Sequence, residues 1–439
     1  MEIRYHRPPA EIVREMAAGA GGVPAMRMLG DIQTSRHLLL LRGVAELARA
    51  SGRPGTAGRV GAAYRMLADL QTAHPEAVRQ VVRHPAVGAW AGQAIREARR
   101  DGTSRGLERL GALAAAAAIR AGTGATVTVP VTGGKLMLPS VGMAALPGRV
   151  PSATVRVAGA GAVVEAPGAR VAIPADWGRE APGWLGLRRL TVSSEGLSLD
   201  VLVDDLDPYR LPAVPLRGRL PDAELARWRD DLAAAWRWLV RRHRPTAEEA
   251  GAGIRVVTPL ADRGSSRSSA SSREVHGSVA FSSTGDARAL ALVLGHEVQH
   301  VKLAALIEAV PMIRPGHDGR YYAPWREDPR PVYSLLQGAY AHLGVTAFWR
   351  RERRWSPGDL HAHAEFERWR AAALLACASL LSRDGLTPAG VDFVREMSGT
   401  LSSWGREEPV PAPARRMAHR EAARHQALWT RRNRSEATI

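Results

Sequence analysis

Apolar positions recur at three- and four-residue steps from Pro24 to about Gly122. "AMRMLGDIQTSRHLLLLRGVAELARA" shows the pattern, and "RGLERLGALAAAAAIRAG" closes on a glycine suited to a helix C-cap. The spacing predicts an N-terminal helical region, residues 1–124. The period then changes. "ATVTVPVTGGKLMLPSVG" alternates about a Gly-Gly turn, which predicts a hairpin, and "ARVAIPADW" and "LSLDVLVDDLDPYR" read as further strands. Strand patterning runs from about Ala125 to Tyr209, within a β-rich insert placed at residues 125–215.

Helical spacing returns in "DAELARWRDDLAAAWRWLVRRH", whose acidic first turn and basic end match the helix dipole. A short strand, "GIRVVTPL", and an exposed loop, "DRGSSRSSASSRE", precede a second strand, "VHGSVAFSS". That strand is expected either to offer an exposed edge to an extended peptide or to lie inside a sheet. The helix "ARALALVLGHEVQHVKLAALIEAV" follows, capped by Thr284 or Asp286 and stopped by Pro311. From Tyr333 onward the pattern predicts four helices. The expected fold class is α+β and mainly helical, with the β-rich insert between two helical regions.

Composition narrows the partners. The formal charge of +17 is nearly all arginine, with Lys135 and Lys302 the sole lysines, and it accompanies abundant alanine, glycine and proline. That balance reads as biased codon usage. The densest basic stretch, "ARRMAHREAARHQALWTRRNR", reads as an amphipathic helix with a solvated arginine face, so nucleic acid is not expected as a partner. An acidic peptide fits the charge equally well. No window reads as a membrane span, "MEIRYHRPPAEIVREM" lacks a secretory pattern, and Cys377 is the single cysteine. A soluble, cytoplasmic protein without membrane partners is expected.

The chemistry concentrates in "LGHEVQH". On a helix His296 and His300 stack one turn apart and can direct imidazole nitrogens at one metal ion. Glu297, one residue on, can reach a metal-bound water without being a ligand. Strand, turn and uninterrupted helix is the setting in which zinc-peptidase-like domains hold this motif, so residues 216–439 are read as a zincin-like metal-binding catalytic region. The metzincin extension is absent, because Leu303 and Leu306 occupy the positions of its glycine and third histidine. A third ligand must come from elsewhere. His342, on a helix predicted from about Val332 to Arg350, is the leading candidate, with His317 as competitor and Gln337 a little over one turn before His342. No glutamate occurs on that predicted helix, and a core histidine bonded to backbone is the alternative for His342. Between the two helices, Arg326 or Arg330 can hold an anionic co-substrate by a bidentate fork, or Asp328 can pair with one of them and fix the loop.

"SRHLLLLRGV", "VDDLDPYR", "GHEVQHVKLAAL", "RYYAPWREDPRP", "LLQGAYAHLGV" and "FWRR" together resemble, in order and approximate spacing, a known family. It is the HExxH-motif domain associated with ribosomally made, post-translationally modified peptides, found alone or fused behind a cyclophane-forming radical-SAM peptide maturase. The similarity runs from about Gly19 to about Arg432, and the chain looks like a stand-alone member, since it has no cysteine cluster for an iron-sulfur centre. The resemblance implies an iron(II)- and 2-oxoglutarate-dependent hydroxylase acting on the β-carbon of a residue in a precursor peptide, with other maturation enzymes as further partners. It implies His296, His300 and His342 as iron ligands and Arg326 or Arg330 as the partner of the distal oxoglutarate carboxylate. Glu297 becomes an orienting group. Two histidines and one further ligand leave open positions for an oxoacid and dioxygen. A third histidine replaces the carboxylate of the usual oxygenase triad, and zinc can bind the same nitrogens. The alternatives are a zinc metallopeptidase with Glu297 as general base, and a peptide-binding module without catalysis. The N-terminal helices and the insert either bind a leader peptide or brace the site.

Overall fold

A computed structural model describes residues 6–102, 105–159, 161–212, 216–261, 269–270, 273–282 and 285–433. The fold is α+β, mainly helical, with a β-rich insert. Six helices come first: α1 (Ala10–Ala17), α2 (Gly22–Ala50), α3 (Pro54–Ala73), α4 (Pro75–Val82), α5 (Pro85–Asp101) and α6 (Leu110–Ala121). Proline opens α3, α4 and α5, where its missing N–H has no helical partner to lose. Gly122, at φ 63°, ends α6 as its sequence position predicts. The alanine run of α6 is buried throughout, and its small side chains let the strands of the insert approach closely. A Cβ at Gly111 would stand 3.0 Å from the Thr128 carbonyl oxygen.

The insert holds β1 (Ala125–Pro130), β2 (Lys135–Leu138), β3 (Gly142–Ala145), β4 (Ser152–Ala158), β5 (Gly161–Ala166), β6 (Ala169–Ile173) and β7 (Trp184–Gly186). They form two antiparallel sheets, ordered β1-β4-β5-β6 and β2-β3-β7. This corrects the predicted hairpin. The turn forms, with Gly133 and Gly134 at φ 58° and 72° and a bridge between Thr132 and Lys135, yet β1 pairs with β4 and β2 with β3. Pro130 offers no N–H to extend a ladder from the turn.

Next come β8 (Arg188–Ser194), β9 (Leu197–Val203), α7 (Asp222–Arg242), α8 (Arg244–Gly253), β10 (Val256–Pro259), β11 (Ser269–Ala270) and β12 (Ser278–Phe281). Their five-stranded sheet has the order β11-β12-β10-β9-β8, with β9, β10 and β12 parallel and the outer two strands antiparallel. Strands on both sides of residue 215 therefore share one sheet, so β8 and β9 belong with the metal-motif region and not with the insert's own sheets. The strand in "VHGSVAFSS" is β12, which pairs with β10 on one side and β11 on the other; it is an internal strand, and the exposed-edge expectation is corrected. The parallel crossovers explain the burial of β10 and β12 on both faces. Of the serine-rich loop, residues 262–268 and 271–272 lie outside the described residues, as does Thr284.

The motif helix is α9 (Ala287–Ala309), capped by the Asp286 carboxylate, which accepts from the Ala289 amide at 3.0 Å. After it come β13 (Arg320–Tyr321), β14 (Arg330–Pro331), α10 (Val332–Trp355), α11 (Leu360–Leu381), α12 (Pro388–Glu407) and α13 (Ala412–Arg432). On α9, Leu290, Leu294 and Val298 pack into the sheet core with α7, while Val301, Leu303 and Leu306 join a second core with α1, α2, α10, α11 and α12. Flanked on nearly every side, α9 is long and apolar enough by composition to cross a membrane, contrary to the expectation that no window would be; 67% of its most apolar window is buried inside the protein. Its one lysine, Lys302, is buried and donates to Glu249 Oε1 at 2.8 Å and to the Ala20 carbonyl at 2.7 Å. The arginines of α13 are exposed, as its pattern predicts.

Candidate metal centre

The apolar stripe of α9 fixes its rotation, and the turn between its two cores carries the histidines. The Nε2 atoms of His296 and His300 lie 3.1 Å apart. At that distance either one nitrogen donates to the other or both face a common cation. With metal–nitrogen bonds of about 2.0–2.1 Å, this separation subtends roughly 95–100° at an ion, between octahedral and tetrahedral values. The pair therefore fits a metal.

Electrostatics agree. Burial and the neighbouring His300 push His296 down to about 4, so its ring is neutral at neutral pH. His300 Nδ1 lies 3.1 Å from Gln337 Oε1; because the amide oxygen only accepts, Nδ1 is the donor, and the bond turns Nε2 toward His296. The Gln337 amide donates onward to the Tyr333 hydroxyl at 3.2 Å.

His342, on α10, lines the same cavity beside His296. Its Nδ1 donates to the Gly338 carbonyl at 2.8 Å, which leaves Nε2 unprotonated. Burial, with His296 beside it, pushes its pKa well below the ordinary value. The ring stacks on Trp325 at 4.3 Å, packs against Trp369 at 4.6 Å and meets the His296 ring edge-on at 5.5 Å. The three histidine nitrogens are not all within 4.8 Å of one another, so His342 must swing toward the pair to share an ion with it. His317 does not line the cavity: its Nε2 is 2.8 Å from the Tyr321 hydroxyl. Gln337 serves as the orienting acceptor for His300.

The cavity measures about 540 Å³, within the range that takes a small organic ligand. Glu297 lines it, 1% exposed, with Oε2 lacking any hydrogen-bond partner. Arg326 and Arg330 also line the cavity, and both pair with Asp328, at 3.3 and 2.8 Å. Their side chains are 55% and 30% exposed. Loop-fixing by Asp328 and a cationic wall thus coexist. Sequence reasoning missed Arg273, which reaches the cavity from the stretch before β12 and lies over the Tyr333 ring at 5.6 Å. It also missed Trp369, supplied by α11. Neither carried a local signal, since both arrive by tertiary packing.

Among the described residues, one group brings three metal-ligating atoms within 4.8 Å of one another: His84, Asp204 and Asp207, all buried and remote in sequence from the motif. Their carboxylates lie in "VDDLDPYR", a stretch noted for its resemblance but not for ligands. No protein-family model and no curated protein matches this chain.

Proposed function

We propose that the cavity is the active site of an iron(II)- and 2-oxoglutarate-dependent hydroxylase acting on a residue of a ribosomally made precursor peptide, built on a zincin-like HExxH core. One observation carries the reading: histidines from α9 and α10 and the arginines of the loop between them line one cavity of small-ligand size. His296, His300 and His342 would hold the iron. Arg326 or Arg330 would pair with the distal carboxylate of 2-oxoglutarate, a charge-assisted contact suited to the arginine fork. The bound metal would supply the redox chemistry toward dioxygen, coupling oxidative decarboxylation of 2-oxoglutarate to succinate and carbon dioxide with insertion of one oxygen atom into a C–H bond. Trp325 and Trp369 exclude water from the His342 side. Glu297, buried with a free oxygen, is placed to accept a hydrogen bond from the substrate. The ordered motifs resembling the HExxH-motif domain support a peptide substrate, neighbouring maturation enzymes and a cytoplasmic setting.

The unpartnered Glu297 oxygen beside the histidine pair also favours a second reading, a zinc metallopeptidase in which Glu297 takes a proton from a water. The two readings part in one assay. Protein reconstituted anaerobically with iron(II) is given 2-oxoglutarate, oxygen and a candidate precursor peptide; succinate and a mass gain of one oxygen support hydroxylation. Cleavage with zinc alone, abolished in Glu297→Gln, supports the peptidase and overturns the first reading.

A further inference from the structure

We propose that His84, Asp204 and Asp207 form a second, structural site for a divalent cation of the zinc or manganese class, which ties α5 to the loop after β9. His84 is the residue before Pro85, at the start of α5, and its backbone amide is held by the Val81 carbonyl at 3.1 Å. Asp204 and Asp207 sit in the turn that ends β9. The Asp204 Oδ1 accepts from the amides of Leu206 at 3.2 Å and Asp207 at 2.9 Å, so this oxygen is used within the turn. Its other oxygen has no donor. Asp207 accepts from the Tyr209 amide at 2.9 Å and from the Arg109 guanidinium at 2.6 Å, which orient its carboxylate and leave lone pairs over.

The anomaly is what remains. His84 is 3% exposed and Asp204 0%, yet both ring nitrogens of His84 and Asp204 Oδ2 lack any hydrogen-bond partner. Buried polar atoms in native proteins are nearly always paired, and two of these orphans, one His84 ring nitrogen and Asp204 Oδ2, face the same point beside Asp207, which calls for a missing partner there. A shared proton does not suffice, because His84 Nε2 and Asp204 Oδ2 stand 3.7 Å apart, beyond hydrogen-bond reach. For an ion with bonds near 2.1 Å the same separation corresponds to an angle of about 120°, open enough for a third oxygen from Asp207. Imidazole with two carboxylates suits a borderline cation better than calcium or magnesium, which prefer all-oxygen shells. Burial and the Asp207 carboxylate push Asp204 up to about 7, and burial pushes His84 down to about 4.

The position gives the site a consequence. Leu206, Pro208, Tyr209 and Arg210 wall a groove of about 1250 Å³ between the helix at Arg105–Arg109 and the insert. A cation at the root of that loop would hold this wall rigid.

Zinc content and melting temperature test the proposal, using full-length protein stripped with chelator and refilled with zinc. The His296→Ala/His300→Ala double variant leaves the cluster untouched. It should still bind about one equivalent of zinc, with a rise in melting temperature on refilling. His84→Gln and Asp204→Asn should each lose one equivalent relative to the wild-type chain. If the double variant takes up no zinc and its melting temperature does not move, the second site does not exist, whatever the other variants do. Should the cavity reading fail instead, wild-type protein would bind one equivalent, retained by the double variant and lost by His84→Gln.

Discussion

His300 Nδ1 and Gln337 Oε1 lie 3.1 Å apart, joining the motif helix to α10 at the metal face. The glutamine makes Nδ1 the donor and turns the other ring nitrogen toward His296. Such orienting partners typically affect metal affinity by about 10- to 100-fold. Gln337→Leu should therefore weaken iron(II) or zinc binding by roughly that factor in a chelator competition, while Gln337→Glu, which still accepts, should retain most of it.

His342 and His317 make opposite predictions. His342 faces the cavity and His317 is bonded to Tyr321 outside it. His342→Ala should lower metal content measured by elemental analysis, and His317→Ala should leave it unchanged. The reverse pattern would move the third ligand.

Arg326 and Arg330 share Asp328, and Arg330 is the more buried of the two. Losing a hydrogen bond to a charged group costs about 1.5–3 kcal/mol, equivalent to roughly 10- to 100-fold in binding. Arg330→Gln should raise the KM for 2-oxoglutarate by such a factor at unchanged metal content, and Arg326→Gln by less. Steady-state kinetics of succinate release check this.

Stability should fall in mild acid. His37 and His276 are pushed by burial from 6.5 down to about 4 and about 3. Between those values and 6.5 the unfolded chain binds protons at these sites that the folded chain does not, so stability declines as pH drops below about 6.5. At 1.36 kcal/mol per proton and pH unit, two such sites contribute up to about 3 kcal/mol per unit. Above pH ~7.5 they contribute no slope. Chemical denaturation across this range checks the sign, and His276→Gln should make the decline shallower.

What could be read from the sequence was local. The four-residue spacing of His296 and His300, the Asp286 cap and the four closing helices all follow from short-range rules, and each stands in the structure. The misreadings concern partners at a distance. Gly133 and Gly134 do make a turn, but the strands beside it pair elsewhere. The strand β12 is internal because β11 and β10 arrive on either side. Arg273 and Trp369 enter the cavity, and His84 meets Asp204, through packing that no local pattern encodes. The apolar character of α9 follows from its two cores, and periodicity cannot tell that from a membrane span.

The central claim is that His296, His300 and His342 hold an iron ion with room beside it for an oxoacid. Anaerobic titration of metal-free protein with iron(II) and then 2-oxoglutarate, followed by visible absorption, tests it without a peptide. The account predicts a metal-to-ligand charge-transfer band that saturates with both additions and disappears in His296→Ala. Iron(II) that fails to bind, or that binds without developing the band when 2-oxoglutarate is added, would contradict it.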